Sequence, residues 1–462
     1  MLAKIKKIFG YSLGLILGVI LFFLFALFPK FYLIENWQNA LLSQSFFTDK
    51  KIIELPFWLQ EKKQQLQKSG ESFIEINLTN NFVILFENGQ PIKNFQIIEK
   101  KYNAKLRGDP IGFFKIILKQ NLALSDSGDY YIPYIITFNE NWSIYGVPYS
   151  VFPTGSKKPF QKEEFSIILA IDDAKEVFEF AKEGMPILVW SDKFQKDNLK
   201  YEKISNENDV RISAESYLVA DLQNGFVFLQ KDIEKEYSIA SLIKLILATV
   251  VLENVTLDNK VQLQPNELEI FKNVEGFKQR VKPNFPYSLV DLLYLALCPS
   301  ANDAAFLLSK FLGTEKTIKL MQQRVLAIGM ENTKIFEVTG LGELIGKPEN
   351  KSTAKDLFYL AQLLNFNKYP ILQITKGEKI SGSTISLNLN SLENRNIFQK
   401  QENFLGGKIG FTESAGKCGI FLFKLKKDEK ERNVVIILLK SANLKEDTEN
   451  ILNWLNKHYF TD

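Results

Sequence analysis

Strand-like segments at both ends of the C-terminal half of the chain place the strongest constraint on its fold. From about Val210 the sequence opens with SYLVADLQNG and FVFLQK, and it closes with GIFLFKLKK and NVVIILLKS before a last helical segment, EDTENILNWLNKHY. The segments between these ends have the pattern of helices. Strands that enclose a helical middle in this way can share one sheet, so the sequence predicts an α+β domain here.

The amino-terminal end carries an uncharged apolar segment from Ile8 to Phe28. As a helix it would span roughly 30 Å, which matches the hydrocarbon core of a bilayer. Lys4, Lys6 and Lys7 precede it, which predicts a cytoplasmic amino end and an extracytoplasmic remainder. A cleaved signal peptide is the alternative, but ALFPKFY lacks a small-x-small cleavage pattern, so we favour an uncleaved single-pass anchor in the cell membrane.

The region between the anchor and Val210 changes character twice. A polar, helix-prone segment, WLQEKKQQLQK, is followed by alternating apolar and polar residues with a hairpin turn at Glu87-Asn88-Gly89. A helix, DDAKEVFEFAKEG, is predicted to end at Gly184, and a charged segment follows. The predicted divisions are 1–30 for the cytoplasmic lysines and anchor, 31–70 for a stalk, 71–191 for a β-rich domain, 192–209 for a linker and 210–462 for the C-terminal domain.

Few residues could support histidine or cysteine chemistry. The chain has one histidine, His458, near its end, and two cysteines, Cys298 and Cys418. A Ser-His-Asp or Cys-His mechanism would need that histidine, and a fraying terminus is a poor place for it. Two cysteines cannot build a zinc set or a disulfide framework. We expect both to be small buried residues near the cleft, and His458 to lie on the surface.

The distribution of charge excludes another class of function. The net charge is +4, and Lys and Glu are mixed along the chain. This is typical of a solvated surface and not of the basic stripe that holds nucleic acid, so no nucleic-acid partner is expected.

A serine and a lysine stand one helical turn apart in the apolar segment SIASLIKLILATVVLE. Ser241 and Lys244 would share one face of a helix, so the amine can reach the hydroxyl. Either the lysine stem snorkels to water, or the amine is kept dry and takes the proton of Ser241. Two later segments favour the second interpretation: Ser300-Ala301-Asn302 at a break between helices, and Lys408-Ile409-Gly410 leading into a strand.

In this order and separation the segments resemble the S-x-x-K, S-x-N and K-T-G motifs of low-molecular-mass penicillin-binding proteins, the serine D-alanyl-D-alanine carboxypeptidases. IASLIKLILA, DLLYLALCPSANDAA, GMENTKIFEVTGL, KSTAKDL and GGKIGFTESAGKC are also similar to segments of that family. The resemblance implies a β-lactamase/D,D-peptidase-like fold, with a helical middle on an antiparallel sheet of terminal strands. It implies a hydrolase that trims peptidoglycan stem peptides, is inhibited covalently by β-lactams, and needs no metal or cofactor.

The resemblance also implies a role for each motif residue. Ser241 is the acylated nucleophile, and Lys244 is its base, uncharged because it is buried beside a second cation. That cation is Lys408, which also attracts the substrate carboxylate. Ser300 relays the proton to the leaving D-alanine, and Asn302 holds both the peptide amide and Lys244.

The third motif departs from the family pattern. Ile409 stands where the family has Thr or Ser, whose hydroxyl helps to hold the substrate carboxylate, so a hydrogen bond of about 1.5–3 kcal/mol is lost. Thr412 shares a strand face with Gly410, and we expect both to line the substrate site, with Thr412 partly replacing the missing hydroxyl. The backbone N–H groups of Ser241 and Phe411 would form the oxyanion hole.

Other functions stay open at this point. One alternative is a non-catalytic cell-wall-binding or scaffolding protein built from decayed enzyme folds. A β-lactamase is less favoured, because its E-x-x-L-N element should lie between Asn302 and Lys408, whereas the matching letters here are Glu449–Asn453. The sequence does not choose between carboxypeptidase, endopeptidase and transpeptidase activity.

Residues 71–191 resemble a second family, the L,D-transpeptidase catalytic domain. FIEINLTNNFVILFENGQPIKNFQI is similar to its opening hairpin, GDPIGFFKI to its P-T-G-x-F-x-I segment and WSIYG to its I-H-G strand. The histidine of that family falls on Tyr145, its nucleophilic cysteine on Ser166 and its arginine on Ile168. A serine without a nearby histidine is not readily activated, so we predict a non-catalytic spacer or wall-binding module.

Overall fold

The computed structural model describes residues 57–101, 107–125, 127–140, 142–151, 165–191, 199–202, 210–427 and 430–460. The predicted membrane anchor and most of the predicted stalk lie outside these residues. Within the described ranges, no helix is both long enough and apolar enough to cross a bilayer. All the described residues belong to one compact unit.

Helices occur mainly in the C-terminal part of the chain, with one in the predicted stalk and one in the β-rich region. They are α1 (Phe57–Ser69), α2 (Ile171–Phe180), α3 (Ile243–Asn254), α4 (Leu289–Leu297), α5 (Asn302–Leu312), α6 (Thr314–Ala327), α7 (Ala354–Phe366), α8 (Tyr369–Lys376) and α9 (Leu444–His458).

Strands of the amino-terminal part form two sheets. They are β1 (Phe73–Asn77), β2 (Phe82–Glu87), β3 (Gln90–Gln96), β4 (Glu99–Lys101), β5 (Gly112–Lys115), β6 (Leu118–Leu124), β7 (Tyr130–Asn139), β8 (Trp142–Gly146), β9 (Tyr149–Ser150), β10 (Ser166–Leu169) and β11 (Pro186–Trp190). The first sheet has the order β3-β2-β1-β11-β5, and the second has the order β4-β10-β8-β7-β6, with β9 pairing with β7.

The hairpin predicted from the sequence is β2–β3. Its turn residues Asn88 and Gly89 have φ angles of 50° and 75°, the left-handed pair that a two-residue hairpin turn needs. One apolar core joins both sheets to α2, and it includes Ile74 of β1, Ile144 of β8 and Val177 of α2. The amino-terminal part is therefore β-rich, as predicted.

Strands of the C-terminal part come from its two ends. They are β12 (Ser216–Asp221), β13 (Val227–Lys231), β14 (Tyr237–Ser238), β15 (Lys260–Gln262), β16 (Pro286–Ser288), β17 (Lys351–Ser352), β18 (Phe404–Thr412), β19 (Gly416–Lys427) and β20 (Lys430–Ser441). Five of them form a sheet of order β13-β12-β20-β19-β18, antiparallel throughout. The predicted sheet of terminal strands is thus confirmed.

The two faces of this third sheet are covered by different helices. Phe421 and Phe423 of β19 pack with Ile451 and Leu455 of α9 on one face. On the other face α7 contacts β12, β19 and β20, and α8 contacts β18. Alternate residues of β19 therefore point into two different layers.

Two predictions about polar segments are corrected here. His458 is 2% exposed rather than on the surface, because its ring stacks on Trp454 at 4.7 Å and Tyr459 and Phe460 are buried behind it. Tyr201, inside the predicted polar linker, is buried in the core beneath α9, and its hydroxyl donates to Asp221 Oδ2 at 2.5 Å.

A buried cluster of charges joins the amino-terminal part to the helical layer. Glu253 Oε1 at the end of α3 lies 2.9 Å from Arg324 Nη2 of α6 and 3.0 Å from Lys368 Nζ, just before α8. Arg324 Nη1 also donates to the carbonyl oxygen of Ile111 at 2.7 Å, and Lys368 Nζ donates to that of Arg107. We call Glu253, Arg324 and Lys368 the junction cluster.

The segment that meets the junction cluster fits closely. A Cβ on Gly108 would lie 1.9 Å from Asn367 Oδ1, so a larger residue has no room there. Asp109, itself buried, accepts from Ser191 Oγ at 2.8 Å. Burial lowers the pKa of Lys368 to about 8, and the charges of Glu253 and Asp109 oppose that fall. The amino-terminal part therefore supplies two carbonyl oxygens to buried cations of the C-terminal part, and the charge of Asp109 raises the pKa of Lys368.

Candidate functional site

Ser241 lies where three backbone segments meet. It sits in a 3₁₀ turn, Ala240–Leu242, that leads directly into α3. A Cβ on Gly340 would lie 2.6 Å from the backbone nitrogen of Ser241, and one on Gly410 would lie 2.8 Å from the same atom. Glycine at both positions therefore lets a loop and the edge strand β18 approach the serine from two sides.

Lys244 is buried beside Ser241, one turn along α3. Its side chain is 1% exposed, and its Nζ lies 2.7 Å from Ser241 Oγ. Nζ also lies 2.8 Å from Asn302 Oδ1 and donates to the carbonyl oxygen of Thr339. The snorkelling interpretation is thereby excluded, because the amine ends inside the protein.

Burial is the main cause of the unusually low pKa of Lys244. It lowers the pKa of Lys244 to about 7; the charges of Glu337 and Asp303 oppose the fall, and that of Arg395 adds to it. A lysine with this pKa is largely uncharged at mildly alkaline pH and can accept a proton.

Lys408 is the second buried cation of the site. It projects from β18, is fully buried, and its Nζ lies 2.9 Å from Ser300 Oγ and 2.9 Å from the carbonyl oxygen of Ile409. Burial, and next the charge of Lys244, hold its pKa well below the usual range. Ser300 has a φ of 61°, an uncommon conformation for serine, at the break before α5.

The structure brings together five of the residues singled out from the sequence. They are Ser241, Lys244, Ser300, Asn302 and Lys408. Gly410 belongs to the same place through its contact with Ser241. Two hydrogen bonds form the floor of one site: Lys244 to Ser241, and Lys408 to Ser300.

The remaining predicted residues lie along β18, the edge strand of the sheet. Phe411 is 64% exposed, and Ile409 is half-buried against the core beneath α9. The hydroxyl of Thr412 accepts from the backbone N–H of Ala415 at 3.1 Å, so it is engaged in the turn between β18 and β19.

Sequence reasoning missed three residues of the site. Thr339 contributes only a carbonyl oxygen to Lys244, and Glu337 fixes that carbonyl from behind. Arg395 acts through its charge, which lowers the pKa of both Lys244 and Lys408. Backbone contacts leave no residue-type signal, and one arginine in the loop NRN resembles any surface arginine.

The two cysteines, and Glu449 of the segment that matches the β-lactamase E-x-x-L-N pattern, lie outside the cluster around Ser241. Cys298 and Cys418 are buried free thiols, and both flank the motif segments, as predicted. Glu449 lies on α9, which packs against the opposite face of the sheet from Lys408. It is therefore remote from Ser241 and cannot serve a β-lactamase-type water there.

The second set of predicted positions lies inside the amino-terminal part. Tyr145 of β8 and Ser166 of β10 are fully buried on neighbouring parallel strands. The sequence from 71 to 191 contains neither histidine nor cysteine. Ser166 therefore has no imidazole from this region to activate it.

The chemistry that this floor can support is nucleophilic substitution through a serine. A neutral lysine amine at hydrogen-bond distance can take the hydroxyl proton as the oxygen attacks a carbonyl carbon. The hydroxyl of Ser300, which accepts a hydrogen bond from Lys408, can pass a proton to a leaving group. β18 meets the turn of Ser241 at Gly410, and the next residue along this edge strand, Phe411, is exposed.

Comparison with known proteins agrees with this chemistry. Residues 202–440 match the peptidase S11 family, described as D-alanyl-D-alanine carboxypeptidase. The chain is 32% identical over 214 residues to the D-alanyl-D-alanine endopeptidase of Escherichia coli K12, covering 45% of this chain and 66% of that protein. It is 30% identical over 211 residues to D-alanyl-D-alanine carboxypeptidase DacB2 of Mycobacterium tuberculosis, covering 44% and 68% respectively.

A solved structure is similar as well. The crystal structure of a D-alanyl-D-alanine carboxypeptidase from Mycobacterium tuberculosis H37Rv matches with 23% identity and a TM-score of 0.46, covering 56% of this chain and 95% of that one. The family match spans more than half of the chain and includes all three motifs. The chain therefore belongs to the peptidase S11 family of D-alanyl-D-alanine carboxypeptidases.

Proposed function

We propose that the protein is a membrane-anchored serine-type D-Ala-D-Ala carboxypeptidase that acts on peptidoglycan stem peptides through an acyl-enzyme on Ser241. The observation that carries the proposal is the contact of 2.7 Å between Ser241 Oγ and the buried amine of Lys244. Family membership and the presence of Ser300, Asn302 and Lys408 around this pair support it.

In the first half of the reaction the serine is acylated. Lys244 takes the proton of Ser241, and Oγ attacks the carbonyl carbon of the penultimate D-alanine. The backbone N–H groups of Ser241 and Phe411 stabilise the oxyanion. As the C–N bond breaks, the proton that Lys244 took from Ser241 passes through Ser300 to the leaving amine, so Lys244 is neutral again and free D-alanine departs.

In the second half water releases the shortened peptide. The neutral amine of Lys244 takes a proton from water, the hydroxide oxygen attacks the acyl carbon, and Ser241 leaves with a proton returned by the lysine. A β-lactam acylates the same serine, but its leaving group stays tethered and hydrolysis is slow.

Two cations would hold the substrate carboxylate. Lys408 is buried at the floor of the site, whereas Arg395 stands in a half-exposed loop beside it and pairs with Glu393 at 3.1 Å. Because Ile409 offers no hydroxyl, charge would contribute more of the carboxylate binding here than in a site with Thr or Ser.

Endopeptidase activity is the second candidate, because the Escherichia coli relative bears that name. The same serine and lysine would cleave a D-alanyl bond inside a cross-link. Purified cross-linked dimers and uncross-linked pentapeptides, digested in parallel and separated by chromatography, distinguish the two activities. Release of D-alanine from the monomer supports the carboxypeptidase, and loss of dimer without D-alanine supports the endopeptidase.

The amino-terminal segments fit a protein that works on the outer side of a membrane. We propose that Ile8–Phe28 anchors the chain in the cell membrane and that residues 210–462 form the extracytoplasmic peptidase domain. Residues 71–191 would be a degenerate L,D-transpeptidase-like module, without catalysis of its own, that spaces the peptidase from the membrane or holds the wall. The buried positions of Tyr145 and Ser166 support the loss of catalysis.

Covalent labelling by a fluorescent penicillin tests the proposed reaction. The wild-type protein should be labelled, with a mass increase equal to the bound β-lactam, and Ser241→Ala should not be. Ser166→Ala is the matched control and should label like wild type. If the wild type takes no label and releases no D-alanine, but still sediments with purified sacculi, the non-catalytic wall-binding alternative is correct.

A further inference from the structure

The amine of Lys244 has three oxygen atoms around it. Nζ lies 2.7 Å from Ser241 Oγ and 2.8 Å from Asn302 Oδ1, and it also contacts the carbonyl oxygen of Thr339. An ammonium donates three hydrogen bonds, whereas a neutral amine has two N–H groups and one lone pair. The oxygens of Asn302 and Thr339 only accept, so in the neutral form they take the two N–H groups. The lone pair then faces the hydroxyl of Ser241.

Glu337 holds the Thr339 carbonyl in place. Its buried carboxylate accepts from the backbone N–H and the hydroxyl of Thr339, each at 2.6 Å, and from the backbone N–H of Gly340, also at 2.6 Å. Asn350 Nδ2 donates to the same carboxylate at 2.7 Å. These bonds close the turn 337–340, and that turn abuts Ser241 at Gly340.

We propose that Glu337 is a positioning residue for the catalytic base. By fixing the turn 337–340 it holds the Thr339 carbonyl against Lys244 and so aims the lone pair of the amine at Ser241. This inference rests on the proposed acylation of Ser241. It assigns a role to the segment EVTGL, which the three motifs leave without one.

Charge gives this role a signature that a purely structural role lacks. The groups that act on the charge of Lys244 are Glu337 and Asp303, which favour the ammonium, and Arg395, which disfavours it. Lys408 is the other buried cation of the site. Removal of the negative charge at Glu337 therefore makes Lys244 lose its proton at lower pH.

Three variants of the full-length protein test the proposal. Glu337→Gln removes the charge at nearly constant size, and Glu337→Asp keeps the charge but shortens the reach. Asp356→Asn is the matched control, because Asp356 is a buried carboxylate that holds the backbone N–H of Asn332 at 2.9 Å and the hydroxyl of Thr333 at 2.7 Å. The rate of acylation by a fluorescent penicillin is measured from about pH 5 to about pH 9, with melting temperature as the check of folding.

Both Glu337 variants should lose at least about tenfold in the acylation rate at alkaline pH, because the lone pair is misdirected. In Glu337→Gln alone, the acid side of the profile should move to lower pH by on the order of one unit. The ratio of the rates at low and high pH therefore rises in this variant, whatever the loss in absolute rate. Asp356→Asn should keep the wild-type profile.

Two results would overturn the inference without touching the proposed function. One is a Glu337→Gln protein with the wild-type rate and profile. The other is a slower Glu337→Gln whose profile stays in place while its melting temperature falls as in Asp356→Asn, which indicates a structural role only. If Glu337→Gln does not fold, Glu337→Asp decides: an unchanged alkaline rate contradicts the positioning role. A wild type that is never acylated overturns the proposed function itself.

Discussion

Lys244 shows how one residue can be forced into a role by its surroundings. Its stem is fully enclosed by the apolar residues of α3 and its neighbours, so the amine must find partners inside the protein. Burial without a carboxylate in direct contact lowers its pKa, and the partners that it finds are neutral oxygens. Desolvation, rather than a nearby charge, lowers the pKa of this lysine and suits it to the proposed role as the base.

The pH dependence of acylation follows from this lysine. The base is active when uncharged, so the rate of acylation by a β-lactam should rise with pH through about 7 and then level off. Stopped-flow measurement of the rate across this range tests it. Lys244→Arg stays protonated at every accessible pH and should lose acylation throughout. A flat wild-type profile between about pH 5 and about pH 9 would contradict the assignment of Lys244 as the base.

Ile409 is the residue at which the site departs most from its family. Its side chain is half-buried against the core beneath α9, on the opposite face of β18 from Lys408, so the hydroxyl of Ile409→Thr would not reach a carboxylate held by Lys408, and kcat/KM for D-alanine release should stay within about twofold of wild type. Ile409→Val changes the shape in the same way without a hydroxyl and should bring no gain. A gain of about tenfold in Ile409→Thr alone would contradict this placement. Equal rates in all three proteins would mean that Lys408 and Arg395 hold the carboxylate without this position.

Close backbone approach sets the geometry at the level of elements. The 3₁₀ turn before α3 lies against β18 and against the turn 337–340, and glycine occurs at both contacts. Packing of this kind leaves the backbone N–H of Ser241 next to the edge strand, where the proposed oxyanion hole needs it.

Gly410→Ala should damage the site more than the fold. The added Cβ would lie 2.8 Å from the backbone nitrogen of Ser241, so the strand or the turn must shift. We expect acylation to fall by at least about tenfold while the protein stays folded. Gly346→Ala is a matched control: its φ of 67° strains alanine, but nothing lies within 4 Å, so it should cost about 1 kcal/mol of stability and no acylation. Normal acylation in Gly410→Ala would show that the contact between position 410 and the backbone of Ser241 tolerates a methyl group.

The elements that the sequence predicts well are those with a strong local pattern. The β2–β3 hairpin and the terminal strands of the third sheet are confirmed, because alternation and turn residues determine them locally. The helix expected to end at Gly184 ends at Phe180 instead, because Ala181 turns to an extended conformation and Gly184 serves a later turn that pairs with Ile116. Local patterns locate the element, and tertiary contacts set its last residues.

The site divides in the same way. Ser241, Lys244, Ser300, Asn302 and Lys408 could be found because the chemistry needs those side chains in that order. Glu337 could not, because it acts through a carbonyl oxygen of another residue. His458 is buried because its ring stacks on Trp454 of the same helix, which in turn contacts Tyr459, and a position near the end of the sequence does not reveal this packing.

At the scale of the whole molecule, the junction cluster links the amino-terminal part to the C-terminal part. Two buried cations share one carboxylate, and the amino-terminal part supplies further partners through the carbonyl oxygens of Arg107 and Ile111. Removing one member of a buried ionic group costs more than the group contributes, because the others are left without compensation.

Glu253→Gln should therefore be strongly destabilising. It leaves Arg324 and Lys368 buried without their shared carboxylate, and a loss of about 3–5 kcal/mol in the free energy of unfolding is expected. Urea unfolding of the protein measures it. Glu140→Gln is the matched control, because Glu140 pairs with Lys316 at 3.1 Å near the surface, and it should cost no more than about 1 kcal/mol. Equal losses in the two variants would contradict the importance of the junction cluster.

The same cluster limits how this protein could be recombined with its relatives. Grafting its peptidase part onto another amino-terminal module would bury Arg324 and Lys368 against a surface lacking the carbonyls of Arg107 and Ile111. A working chimera must therefore include residues 107–111. The alternative is to substitute apolar residues for all three members of the junction cluster, Glu253, Arg324 and Lys368, at once. Without that change, the amino-terminal part and the peptidase part can be transferred to a chimera only together.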